Sequence, residues 1–443
     1  MSETNDITAD FIQAACVPLN ASHSSGTLER AETILAAHPE ISTLNIYTAA
    51  ILGDDSAVRR FVELDAANAT QSGGPRNWDP LTYLCFSKYL RLDRARSAGF
   101  TRAATVLLDA GANANTGFYS GDEFETVLYG AAGVAHNAEL TRLLVERGAD
   151  PNDGEVYYHT PETWENGALQ VLVESGKLTA DSLAAMLLRK ADWHDYPGIK
   201  YLLEHGADIN RMTLWGYTAL HQAIRRDNRI NHIKLMLDHG ADPALLAAGG
   251  QSAVVMAARR GRGDILELFE QRGVPVELSG VERLIAACAR NDAAAVHSIA
   301  TDEPELINDV IAQGGKLLAE FAGNDNADGV RLLLDLGVAV TALYEGDGYF
   351  GLAPNSLALH VAAWRARHAT VKLLIERGSP VSVPDGRGRT PLALAARACV
   401  DSYWTDLRSP ESVAALLAAG ASSGEVEYPT GYDEVDALLR SPN

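Results

Sequence analysis

The side chains best suited to chemistry stand at Asp192-Trp193-His194-Asp195, with His159 and Glu162 a short way upstream. Imidazole and carboxylate donors of this kind suit a borderline divalent metal. The spacing that sets two ligands one turn apart on a metalloenzyme helix is not met, so a solvated turn with an aromatic anchor is the competing reading. No Gly-Lys-Ser/Thr phosphate loop occurs, and no Gly-x-Ser-x-Gly elbow. Arg259 to Gly263 reads as a turn between helices. No nucleophile, base and orienting acid fall together. The expectation is therefore no catalytic residue, no metal and no cofactor, with an enzyme site in residues 153–196 kept as an alternative.

The elements that would position these groups repeat. In Ile199–Ala223, Ile199, Leu202 and Leu203 form one apolar stripe of a helix, and Gly206 ends it. Thr218 then opens a second helix by offering its hydroxyl to free backbone N–H groups. The same glycine recurs at Gly111, Gly148, Gly206, Gly240, Gly273, Gly337, Gly378 and Gly420. Four residues earlier stand Leu107, Leu144, Leu202, Met236, Phe269, Leu333, Leu374 and Leu416, all apolar. The residue three before is apolar too, except Glu270. Successive glycines lie 37, 58, 34, 33, 64, 41 and 42 residues apart.

Thr218-Ala219-Leu220-His221 and Thr390-Pro391-Leu392-Ala393, with weaker copies at Leu357–Ala363 and Ser252–Ala258, resemble the Thr-Pro-Leu-His signature of ankyrin repeats. The tightest glycine intervals match that family's period of about 33 residues. The resemblance spans nearly the whole chain. It implies an all-α solenoid of stacked helix–turn–helix repeats with short hairpin-like fingers, binding a partner protein on its concave face. His221 and His360 fall on the last position of the signature. Their imidazoles are expected to bond backbone between neighbouring repeats, with a metal or catalytic role as the other reading.

Five segments are expected: an N-terminal capping repeat at 1–41, ankyrin-like repeats at 42–152, an irregular repeat with a long aromatic insertion at 153–210, further repeats at 211–422, and a C-terminal cap helix at 423–443. The first six residues are expected to fray. The net charge of −21 argues against a sequence-independent grip on nucleic acid and against an anionic membrane. Cys16, Cys85, Cys288 and Cys399 are scattered, as small core residues of a reducing compartment are. No secretory signal or membrane span is read, so a soluble, cytoplasmic monomer is expected.

Partner-binding candidates come from two columns and one segment. At the ends of the inner helices stand Arg225, Arg226, Arg259, Arg260, Arg290, Trp364, Arg365 and Arg397. They read either as solvated arginines at helix C-termini or as a basic stripe for an acidic peptide. At the fingers stand Trp78, Trp215, Tyr217 and Arg389, and in the 153–166 segment Tyr157, Tyr158 and Trp164. Exposed aromatics are enriched at interfaces, and the competing reading rests each on a neighbouring finger. The acidic balance supports a further alternative, an inhibitor or immunity-type protein masking a basic site.

Overall fold

The computed structural model describes residues 2–440, with side chains from residue 6 onward. It is mostly helical, and the helices come in pairs. Inner and outer partners include Ile46–Leu52 with Asp55–Leu64, Ala180–Asp192 with Tyr196–Glu204, and Ala358–Trp364 with His368–Glu376. The chain forms two compact units. The first holds residues up to Arg226 together with Leu235–Ala241, and the second Asp227–Lys234 together with Asp242 onward.

The glycine columns explain the packing. All eight residues four positions before the helix-ending glycines are fully buried, from Leu107 to Leu416. So are the eight residues seven before, from Ala104 and Thr141 to Val371 and Val413. These two positions face the inner helix and the next repeat. Each such leucine or isoleucine stabilises by about 1.5–3 kcal/mol through burial. The column three before is mostly half-exposed, which is why Glu270 is tolerated in it. Gly206 takes φ +91°, the left-handed conformation that only glycine adopts without a Cβ penalty.

Within the first unit, outer helix Asp55–Leu64 packs on Ser97–Asp109, which packs on Ala138–Glu146, which packs on Gly167–Glu174. In the second, inner helices Gly314–Gly323, Ala358–Trp364 and Pro391–Ala398 lie in succession. Short polar side chains tie one repeat to the next. Asn115 Nδ2 donates to Gly148 O, and Asn210 Nδ2 to Gly240 O, both at 2.9 Å.

The structure departs from expectation in four places. Residues 153–166 are no insertion: Gly154–His159 is a short helix packed between the turn Gly130–Val134 and Ala180–Asp192. With Gly167–Glu174 and Gly176 (φ +66°) it completes a repeat of its own. The all-α expectation misses two strands, Gly117–Ser120 and Glu123–Thr126, an antiparallel hairpin in register Gly117 to Thr126. A helix Glu305–Ala312, in the long glycine interval from Gly273 to Gly337, follows Pro304 and is not anticipated by the repeat count. The first helix begins at Ser2, among residues expected to fray. Residues 1 and 441–443 of the two expected caps lie outside the described residues.

Candidate functional site

In the first unit the inner-helix ends carry a chain of charged pairs. Asp192, buried at the end of Ala180–Asp192, accepts from Gln222 Nε2 at 2.5 Å and Arg226 Nε at 2.7 Å. Its other oxygen takes Arg189, which also bonds Glu162. Glu162 accepts from His159 at 2.8 Å, and the other ring nitrogen of His159 lies 3.1 Å from Glu155. Burial would push His159 down, but the two glutamates overcome it and raise it to about 9. The turn carrying Glu162 is fixed by Lys190, fully buried, which donates to Thr163 O at 2.5 Å and Asp195 Oδ2 at 2.8 Å. Asp153 caps the helix Gly154–His159 at Glu155 N and accepts from Thr126 of the hairpin at 2.6 Å.

The metal-like cluster therefore resolves into structural parts. Asp195 caps the helix Tyr196–Glu204 at Gly198 N, His194 takes the left-handed turn, and both nitrogens of His159 face carboxylates. Among the described residues no three His, Cys, Asp or Glu side chains converge as metal donors. His360 does what its place in the signature implied, with Nδ1 accepting from Leu357 N and Nε2 2.9 Å from Val383 O of the next finger. His221 pairs with the capping Thr218, its Nδ1 2.8 Å from the hydroxyl.

The second unit repeats the motif around Asp227. Arg260 grips this buried carboxylate through two N–H bonds of 2.6 Å, and Arg365 reaches it at 2.7 Å. Burial raises Asp227, but the two guanidinium groups outweigh it and hold the carboxyl far below its usual range. Glu320, 2.9 Å from Arg260, is pushed up by burial, against Arg260 and with the help of the charge on Asp227. Arg365 is 1% exposed and lies between the Phe350 and Trp404 rings, 4.5 and 4.6 Å from their centres. Arg259 pairs with Glu282 and with Gln313 at 2.8 Å. Arg290 pairs with Glu270 at 2.7 Å.

The arginine column is therefore no open basic stripe, and of its members only Arg397 is largely solvated. Arg226, Arg260 and Arg365 are internal pairs. Arg225 lies 4.1 Å over Tyr217, and Arg397 pairs with Asp401 at 2.6 Å on the exposed face. Trp364 is half-buried, donating to Phe350 O at 2.7 Å. Among the finger residues, Trp78 is buried and stacked on Phe118 at 4.2 Å, as the neighbouring-finger reading held. Arg389 turns back on Asp385 and on Gly351 O. Trp215 is half-exposed against Tyr158 at 5.6 Å, and Tyr158 in turn stacks with Arg189 at 4.0 Å. Tyr157 is half-buried on the same short helix. Trp164 is exposed, its indole N–H donating to Trp193 O at 3.0 Å. The structure thus gathers Tyr158, Trp215, Arg189 and Arg226 in the first unit, and Arg260, Trp364, Arg365 and Arg389 in the second.

Sequence reasoning missed Asp227, the acceptor role of Asp192, and the hairpin residues Tyr119 and Phe124. A signal for the first existed: Asp192 and Arg226 are 34 residues apart and Asp227 and Arg260 are 33 apart, one repeat each. The Asn ladder had one too, since Asn115, Asn152 and Asn210 each follow a helix-ending glycine by four residues.

A family model described as ankyrin repeats in three copies matches residues 162–247 and 182–280. No curated protein matches the chain. Among solved structures the chain is similar to the crystal structure of the human ASB11 ankyrin repeat domain, at 20% identity over 53% of this chain and 98% of that one, with a TM-score of 0.24. No helix of the described residues is long and apolar enough to cross a membrane. Residues 162–280 thus match ankyrin repeats, and the helix pairs and the signature histidine bridging to the next finger recur outside that match.

Proposed function

We propose that the chain is a protein-binding module whose fingers and inner-helix faces hold a partner protein. Ankyrin repeats are in general protein-interaction modules, and stacked repeats offer extended binding surfaces. The observation that carries the reading is where large apolar side chains stay exposed. Tyr119 (73%), Leu214 (75%) and Leu343 (60%) stand on fingers, while Leu64 (80%) ends the outer helix Asp55–Leu64. Apolar groups held out on tips are used where a partner covers them. Trp215, Tyr217 and Arg225 line one such finger. The buried arginine–aspartate pairs hold the inner helices in register and do not contact the partner.

In this reading the chain is not an enzyme and works without a cofactor, nucleic acid or membrane, as a cytoplasmic monomer. Its net charge of −21 favours a basic partner, and masking of a basic site is the narrower version of the same reading. The test changes Tyr119, Leu214 and Leu343 together to Ser. Loss of the partner captured by the unaltered chain, at an unchanged melting temperature, is expected. Retained capture at equal affinity would overturn the reading.

A further inference from the structure

The hairpin Gly117–Thr126 is fixed at its base and free at its tip. Thr116 Oγ1 donates to Asp79 Oδ2 and Thr126 Oγ1 to Asp153 Oδ2, both at 2.6 Å. Phe118 is buried against Trp78 and Phe86, with ring centres 4.2 and 4.9 Å away. Successive strand residues face opposite sides, so Tyr119 and its cross-strand partner Phe124 turn away from that core. Their rings stand 5.0 Å apart and both are exposed.

The phase of the ladder is set by Val127 N, which donates to Thr116 O at 2.9 Å. Hydrogen-bonded and non-hydrogen-bonded pairs alternate along an antiparallel ladder. Phe118–Glu125 and Ser120–Glu123 therefore exchange bonds within the hairpin, while Gly117 and Tyr119 turn their N–H and C=O groups outward. Among the described residues no group of the chain bonds those four. On the other strand Thr126 caps the helix Val127–Tyr129, so Gly117–Ser120 has the fuller free edge. Edge strands are commonly guarded by lysine, proline or a bulge, and this one has none of them.

Charge selects what pairs here. Between Arg102 and Arg142 the sequence has no lysine or arginine, and Asp122 and Glu123 are exposed at the hairpin tip. A second copy of this hairpin would bring like charges together, whereas a basic strand is drawn in.

We propose that the outer edge of Gly117–Ser120 takes up an extended, basic segment of the partner protein as a third strand. The segment's backbone exchanges hydrogen bonds with Gly117 and Tyr119, its apolar side chains meet the Tyr119 ring, and its lysine or arginine side chains reach Asp122 and Glu123. The proposal rests on the protein-binding reading and gives the form of the partner at this finger.

The experiment follows the backbone amides of residues 117–126 in ¹H–¹⁵N spectra of the full chain. The probe is the peptide acetyl-Lys-Val-Lys-Val-Lys-amide. One control carries Glu in place of each Lys, and another is N-methylated at its second and third residues, which blocks both of its edges. The basic peptide should shift the Gly117 and Tyr119 amides saturably, and each control should bind about tenfold more weakly or not at all. Tyr119→Pro removes the outward N–H and no ladder bond, so it should weaken binding by about tenfold at an unchanged melting temperature. If Tyr119→Pro disturbs the hairpin, Asp122→Asn combined with Glu123→Gln should weaken binding instead. No saturable shift, or an equal response to the N-methylated or acidic peptide, overturns the proposal. Shifts confined to Phe124 and Thr126 overturn the choice of edge. Concentration-dependent dimerisation that Tyr119→Pro abolishes would give the edge to a second copy and overturn it as well. A partner still captured through the fingers while the basic peptide has no effect would remove the edge pairing and leave the protein-binding reading standing.

Discussion

Arg365 shows what a single residue does here. It is 1% exposed, is held between two aromatic rings, and shares Asp227 with Arg260. Removing one partner of a buried pair leaves an uncompensated charge, so Arg365→Gln should destabilise the fold by about 3–5 kcal/mol. A thermal melt checks this, and an unchanged melting temperature would contradict it. The arginine column was legible from the sequence, but its burial was not, because the aspartates it meets lie one repeat or more away. His159 makes a second residue-level prediction. Its folded value of about 9 lies above the 6.5 of an unfolded histidine. The stability it adds is therefore complete below about pH 6.5 and is lost as pH rises through about 9, with an upper limit of about 3 kcal/mol before solvent screening. The melting temperature of the unaltered chain should fall more between pH 6.5 and 9.5 than that of His159→Asn. Parallel profiles would contradict the clamp by Glu155 and Glu162.

At the scale of one element, the repeat is set by a cap, two buried columns and a left-handed glycine. Leu202→Ala empties a fully buried site and should cost about 2–5 kcal/mol. Thr218→Ala removes the hydroxyl that caps His221 N and pairs with the imidazole, and should cost about 1 kcal/mol. Chemical denaturation of the two variants should rank them in that order, and the reverse order would contradict the assignment of these positions. The outer helices were readable because their apolar columns recur at fixed distance from a glycine. The helix Gly154–His159 was not. Its six residues carry Tyr157, Tyr158 and His159 where other inner helices carry alanines, too short a run for a period to register. Gly176, which ends its partner helix, carries Leu172 and Leu169 at the expected offsets, but it lies 28 residues after Gly148 and escaped the count. The hairpin Gly117–Thr126 was hidden for a related reason: strands of four residues give too little alternation to separate from a loop.

For the whole molecule, repeat contacts are local, and the chain divides into two compact units. Unfolding in urea followed by hydrogen exchange should therefore show two cooperative blocks, with the break near residues 226–242. A break at residues 153–166, as an insertion there would imply, is not expected, because the helix Gly154–His159 is packed inside the first unit. One transition protecting every helix equally would contradict the division. The central claim is that the fingers, and not the outer helices, meet a protein partner. The direct measurement places a photo-crosslinking amino acid at Tyr119, Leu214 or Leu343, or at the exposed outer-helix positions Lys200 and Glu267, and quantifies products in extracts of expressing cells. Each finger position should trap a protein, Tyr119 and Leu214 of the first unit the same one, and the outer-helix positions none, whereas equal trapping at Lys200 and Glu267 would contradict the account.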